Sequence, residues 1–145
     1  MAHADYTVTV NKSAALVFNF LVDGLNNPKW RDAVIDISLK SGVKGTVGAE
    51  YSQTLKGPGG RRIAGDYKLT AVQPNSHIGF VVTTGPARPT GDFSLKESTG
   101  KTSITFSLDY QTKGLAKLME PMITKTMKNE VACLDKLKQV LEGTS

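Results

Sequence analysis

The chain has little of what usually announces a chemistry. Among its 145 residues there is one cysteine, Cys133, two histidines, His3 and His77, and one tryptophan, Trp30. A lone thiol cannot close an internal disulfide, and these few residues do not make the Cys and His spacings of a structural zinc site. No metal ligand set is therefore expected. Neither HExxH nor a Cys-His or Ser-His pairing is present, and GPGG, the one compact glycine cluster, lies between two strand-like segments rather than between a strand and a helix. No cofactor is expected. The apolar runs all fall short of the ~20 residues that cross a bilayer, and MAHADYTVTV lacks the basic-then-apolar layout of a secretory signal. The expectation is a soluble, cytoplasmic protein with no transmembrane segment, monomeric or homodimeric.

What is present begins with length and charge. A chain of 145 residues suits one domain, 1–145, with a core that needs no staples. The formal net charge is +5, but the lysines are dispersed, and Arg61-Arg62 and Lys136/Lys138 are the tightest basic pairs. Without an aromatic-rich basic stripe, this pattern reads as solvated surface, and no nucleic-acid partner is expected.

The order of elements is legible from periodicity and punctuation. YTVTV alternates as a strand does, Ser13 stands where it caps the helix SAALVFNFLVDG, and Gly24 ends that helix. In NNPKW, Asn27 reads as a cap before Pro28 in a second short helix. VIDISLKSG, AEYSQTLKG, RRIAGDYKLTAVQPN, HIGFVVTTG, GDFSLKES and KTSITFSLDYQT then read as six sequential strands joined by hairpins. Gly114 to Gly143 closes the chain as one long amphipathic helix. The result is an α+β fold, a bent antiparallel sheet of about seven strands wrapped around a C-terminal helix, with two short helices after the first strand: a helix-grip fold.

Three segments carry a resemblance that spans nearly the whole chain: VTVNKSAALVFNFLVDGLNNPKW, LTAVQPNSHIGFVV and LAKLMEPMITKTMKNEVACLDKLKQVLEG. In these the sequence resembles the SRPBCC superfamily, also called START-like or polyketide cyclase/dehydrase-like, which includes lipid-transfer domains. The resemblance implies a cavity between sheet and long helix that holds a small hydrophobic or amphipathic molecule such as a lipid, polyketide or aromatic metabolite. It also admits an enzyme of the cyclase or dehydratase type working in that cavity. A weaker alternative is a protein-interaction module.

Spacing can be set against that cavity. At about 100° per residue, Leu115, Leu118, Met119, Met122, Ile123, Thr126, Glu130, Cys133, Leu134, Leu137, Val140 and Leu141 share one helix face. Its first half, with Met119, Met122, Thr126 and Glu130, reads as an adaptable cavity wall, and its second as ordinary core. The methionines can equally be gap fillers and Glu130 the partner of a surface lysine. Pro121 either starts the helix near Glu120 or kinks it, leaving LAKLME as a separate turn in the first case. On the strands, alternation turns inward Ile35, Ile37 and Leu39; Tyr51, Gln53 and Leu55; Ile63, Tyr67 and Leu69; Ile78, Phe80 and Val82; Phe93 and Leu95; and Ile104, Phe106, Leu108 and Tyr110. Asp66 and Asp109 fall on the outward faces, and His77 reads as solvent-facing. Trp30 either forms part of the cavity mouth or anchors the two short helices.

The candidate ligand-binding residues are thus Trp30, Tyr51, Gln53, Tyr67, Phe80, Phe93, Phe106, Tyr110, Met119, Met122, Thr126 and Glu130. If there is catalysis, Glu130 with Tyr67 or Tyr51 is the acid/base candidate. The expected cavity is of drug-like size, on the order of 300 to 1,000 Å³, and Glu130 is expected to meet Tyr51, Tyr67 or Gln53 inside it.

Overall fold

Alternation in the first strand, β1 (Ala2–Val10), turns Ala2, Ala4, Val8 and Val10 into the core, with Tyr6 partly buried on the same face, and leaves His3, Asp5, Thr7 and Thr9 toward solvent. These positions come from a computed structural model that describes residues 1–85 and 88–143, apart from the side chains of Pro58 and Ala116. Helix α1 (Ala14–Val22) follows, with the Ser13 hydroxyl accepting the Leu16 N–H at 3.3 Å. Glu97 in β7 (Thr90–Ser98) accepts the Ala14 N–H at 2.6 Å, so a strand supplies part of the cap and ties the helix start to the sheet. The helix buries Ala14, Val17, Phe18 and Leu21. It ends at Val22, and Gly24 opens a short 3-10 turn that leads into α2 (Asn27–Trp30), with Pro28 in its first turn.

The remaining strands are β2 (Val34–Ser41), β3 (Glu50–Lys56), β4 (Arg62–Ala64), β5 (Tyr67–Gln73), β6 (His77–Val82), β7 and β8 (Lys101–Tyr110). They form one antiparallel sheet in the order β1-β8-β7-β6-β5-β3-β2, with β4 paired to β3. This open sheet with a helical C-terminal segment is the α+β helix-grip architecture. RRIAGDYKLTAVQPN is broken into β4 and β5 at Gly65 and Asp66. There the Gln53 carbonyl accepts the Gly65 N–H at 2.8 Å, and the Asp66 carboxylate accepts the Gln53 N–H at 3.0 Å. Such an irregularity bends the strand and strengthens the local twist. Asp66 is consequently buried, not outward.

Two inward assignments in β2 fail, for different reasons. Leu39 stays in register opposite the buried Tyr51 and is exposed because β2 is the last strand of the sheet, whereas a register shift between Val34 and Asp36 leaves Ile35 exposed and Val34 buried. One slipped residue sends a strand's side chains to the opposite face. The long C-terminal helix is preceded by a 3-10 turn and interrupted once. A 3-10 turn at Gly114–Met119 precedes α3 (Glu120–Val131), and Ala132 and Cys133 separate it from α4 (Leu134–Glu142). Pro121 occupies the first turn of α3, the place where its missing N–H costs no helical bond. Glu120 accepts the Thr112 hydroxyl and pairs with the Met1 amino group, both at 3.0 Å, which fixes that start.

The consequence is that Leu115, Leu118, Met119 and Met122 are exposed, as is Thr126, whose hydroxyl donates back to the Met122 carbonyl at 3.1 Å. The buried methionine is Met127, and Val131 is buried one turn further along the same helix. In α4, Leu134, Leu137 and Leu141 are buried, and this half of the expected face stands. Leu137→Ala should cost about 2 to 5 kcal/mol in denaturant melts, as a cavity in a close-packed core does. Met122→Ala should stay within about 0.5 kcal/mol of the parent.

Candidate functional site

The concave side of the sheet holds a cluster of rings. Trp30 is 1% exposed and meets Phe93 and Phe106 edge-on at centroid distances of 6.0 and 6.1 Å. Phe80 lies against Tyr67, Phe93 and Phe106, and Tyr67 stacks on Tyr51 at 5.1 Å. Small residues admit these rings. A Cβ on Gly91 would lie 2.2 Å from the Phe80 ring, and one on Gly24 would lie 2.2 Å from the Tyr67 hydroxyl. Trp30 therefore anchors α2 on the sheet and is not a mouth residue.

Beside this cluster lies a cavity of about 50 Å³, lined by Leu21, Asn27 and Arg31 from the helical side and by Gln53, Leu55, Gly65, Tyr67, Leu69, Ile78, Phe80, Val82 and Phe93 from the sheet. At about 10–15 Å³ per water it has room for a few solvent molecules. It is several times smaller than expected, because the aromatic side chains occupy the space that a ligand would need. The structure brings Gln53, Tyr67, Phe80 and Phe93 of the candidate residues to this cavity. Trp30, Tyr51 and Phe106 lie in the surrounding core, and Tyr110 is half-buried at the end of β8. Met119, Met122 and Thr126, being exposed, take no part in its wall.

The polar end of the cavity is built around Asn27. Its amide donates to the Gln53 side-chain carbonyl and to the Tyr67 hydroxyl, both at 3.0 Å. It is an interior residue, not the expected cap. Gln53 in turn donates to the Gly65 carbonyl at 3.2 Å. Burial holds the Tyr67 hydroxyl far above its ordinary pKa, outweighing the opposing pull of the Arg31 cation and the Asn27 hydrogen bond. Tyr67 is therefore a phenol, and a donor, throughout the physiological range.

Glu130 reaches a different partner from the one expected. Its carboxylate pairs with Arg31 Nε, and the two side chains are only 18% and 10% exposed. Tyr67 is engaged with Asn27, and the Tyr51 hydroxyl accepts the Gly45 N–H at 3.1 Å, so Glu130 forms an acid/base pair with neither tyrosine. The half-buried His77 pairs with Asp92 across neighbouring strands. Among the described residues, no three His, Cys, Asp or Glu side chains converge as a metal site.

Arg31 and Asn27 are the residues that sequence reasoning missed. Asn27 was hidden by a plausible local role beside Pro28. Arg31 had a signal in its position directly after the anchoring Trp30, where one residue beyond the end of a short helix can still be buried.

With this geometry in view, the sequence can be placed. The chain belongs to the family described as polyketide cyclase / dehydrase and lipid transport, whose model matches residues 1–142. No curated protein matches it in sequence. Solved structures share the fold at low identity. A protein of Thermus thermophilus is 13% identical with a TM-score of 0.81, the match covering 99% of each chain. A START superfamily protein from Mycobacterium smegmatis is 19% identical with a TM-score of 0.76, over 99% of this chain and 96% of that one. The Zhui aromatase/cyclase from Streptomyces is 16% identical with a TM-score of 0.73, over 97% and 91%.

The ion pair and the phenol each generate an expectation. Glu130→Leu leaves a largely buried guanidinium unmatched and should cost about 3 to 5 kcal/mol, whereas the double variant Arg31→Met/Glu130→Leu should recover much of that loss in chemical denaturation. Because the folded-state pKa of Tyr67 lies above its unfolded value, its contribution to stability is complete below about pH 10 and is lost as pH rises beyond it. The tyrosinate absorbance of the parent minus that of Tyr67→Phe should therefore stay flat until the alkaline unfolding transition.

Proposed function

We propose that this protein holds a small hydrophobic or amphipathic molecule inside the fold, its apolar body against Leu69, Ile78, Phe80 and Phe93. The observation that carries this reading is a cavity with one polar end, made by Asn27, Arg31, Gln53 and Tyr67, inside a wall that is otherwise aromatic and aliphatic. A core built only for stability gains little from a guanidinium at a void, since burying the charge has a cost that the ion pair only offsets. Family membership supports the same class of ligand.

The cavity in its present form is smaller than any such ligand, so binding has to widen it by moving side chains of its wall. Among the described residues, the lining contains no carboxylate or imidazole, and its one phenol stays protonated. The walls thus offer hydrogen-bond donors but no general base, which favours carriage of a ligand over acid/base turnover of it.

Native mass spectrometry of freshly purified protein should show a bound species that denaturation releases. Methyl NMR should then show that adding the released compound to stripped protein shifts Leu69, Ile78 and Val82. Protein that is always ligand-free, with methyl signals unmoved by lipids, polyketides or aromatic compounds, would remove the reading.

A further inference from the structure

We infer that the molecule held in this cavity carries an oxyanion, of which a carboxylate is the simplest case, directed at Arg31. This rests on the binding reading above and adds the chemistry of the ligand's polar end.

The argument is a count of donors and acceptors. Arg31 has five N–H groups, and Glu130 engages it at Nε. Among the described residues neither terminal amino nitrogen of Arg31 has a hydrogen-bond partner; both stay within reach of solvent, and the residue lines the cavity. The Tyr67 hydroxyl accepts from Asn27, and among the described residues its own proton has no acceptor. Both Asn27 amide protons are used, on Gln53 and on Tyr67. The polar end therefore presents an excess of donors: the two ends of a guanidinium fork and a phenol held in its protonated form.

A group that satisfies such an end must accept several hydrogen bonds at once. A carboxylate has two oxygens and about four lone-pair sites, and it matches the planar fork of a guanidinium. A hydroxyl or amine would bring further donors to a place that already has too many. Glu130 neutralises Arg31 overall and, through its contact at Nε, holds the guanidinium in position, with no hydrogen bond from it to either terminal nitrogen. Glu130 is thus a positioning residue, acting through Arg31. The ring cluster around Phe80 and Phe93 suits a flat apolar body behind the acid.

Three probes of one shape separate the possibilities: naphthalene-2-carboxylate, 2-acetylnaphthalene and 2-methylnaphthalene. Binding is followed by calorimetry, and the methyl signals of Leu69 and Ile78 show that it occurs in the cavity. For the parent protein the carboxylate should bind at least about tenfold more tightly than 2-methylnaphthalene, with the ketone between them, as charge-assisted hydrogen bonds exceed neutral ones. Arg31→Gln/Glu130→Gln removes both charges together, so no unmatched ion is left to unfold the protein. It should abolish the preference for the carboxylate over 2-methylnaphthalene, and Tyr67→Phe should reduce the preference several-fold. Equal affinity of the three probes for the parent, or a carboxylate preference that survives in the double variant, overturns the oxyanion assignment and leaves the binding reading in place. Failure of all three probes to reach the cavity removes the binding reading itself, and the assignment with it.

Discussion

The pairing of Arg31 with Glu130 is the constraint around which the interior is arranged. A guanidinium at the end of α2 is nearly removed from water, and a charge so placed needs a counter-charge and hydrogen bonds. Glu130 supplies them from α3, which packs on β1 and β8. One contact thus links the helical pieces that cover the concave face of the sheet. It also resolves the oddity of a glutamate among the apolar positions of the C-terminal segment, because Glu130 is the inner counter-ion of a residue from another element.

The ring cluster follows from the same geometry. With Arg31 held at the cavity, Trp30 is turned into the core, where its edges meet Phe93 and Phe106 and the guanidinium carbon lies 5.9 Å from its ring centroid. The irregularity at Gly65 and Asp66 bends the sheet beside this cluster, and Gln53 reaches across the bend to the Gly65 carbonyl. A polar network at one end and closely packed rings at the other leave only a small space between them. Close-packed interiors resist voids, and the rings and the polar network close in on that space accordingly.

Much of the fold was legible in the residues. The alternation of YTVTV, the capping serine at Ser13 and the β-rich segments bounded by turn residues place β1, α1 and the sequential sheet. Leu134, Leu137 and Leu141 declare the inner face of α4 by spacing alone. The misplacements arose where spacing alone left the edge of an inward face undefined. The face drawn through Met119, Met122 and Thr126 lies to one side of the actual inner stripe, in which Ile123, Met127, Glu130, Leu134, Leu137 and Leu141 follow one another at spacings of four and three through the interruption at Ala132 and Cys133. In β2 the register shift after Val34 turns Ile35 outward, and Leu39, opposite the buried Tyr51, is exposed by its place in the edge strand.

The sequence by itself determined the order of elements, the apolar faces of most strands and of α4, and the supply of tyrosine and glutamine from which part of the cavity's polar end is made. These are properties of neighbours along the chain, set by side-chain volume, backbone preference and periods of 2 and 3.6 residues. Only the tertiary structure decided that Glu130 meets Arg31, 99 positions away, and that Asn27 joins Gln53 and Tyr67 across 26 and 40 positions. No local rule selects among the carboxylates and amides of a chain. The choice is made by which donors and acceptors the packed helices and the bent sheet enclose together, where an unmatched charge or hydrogen bond is costly enough to settle the pairing.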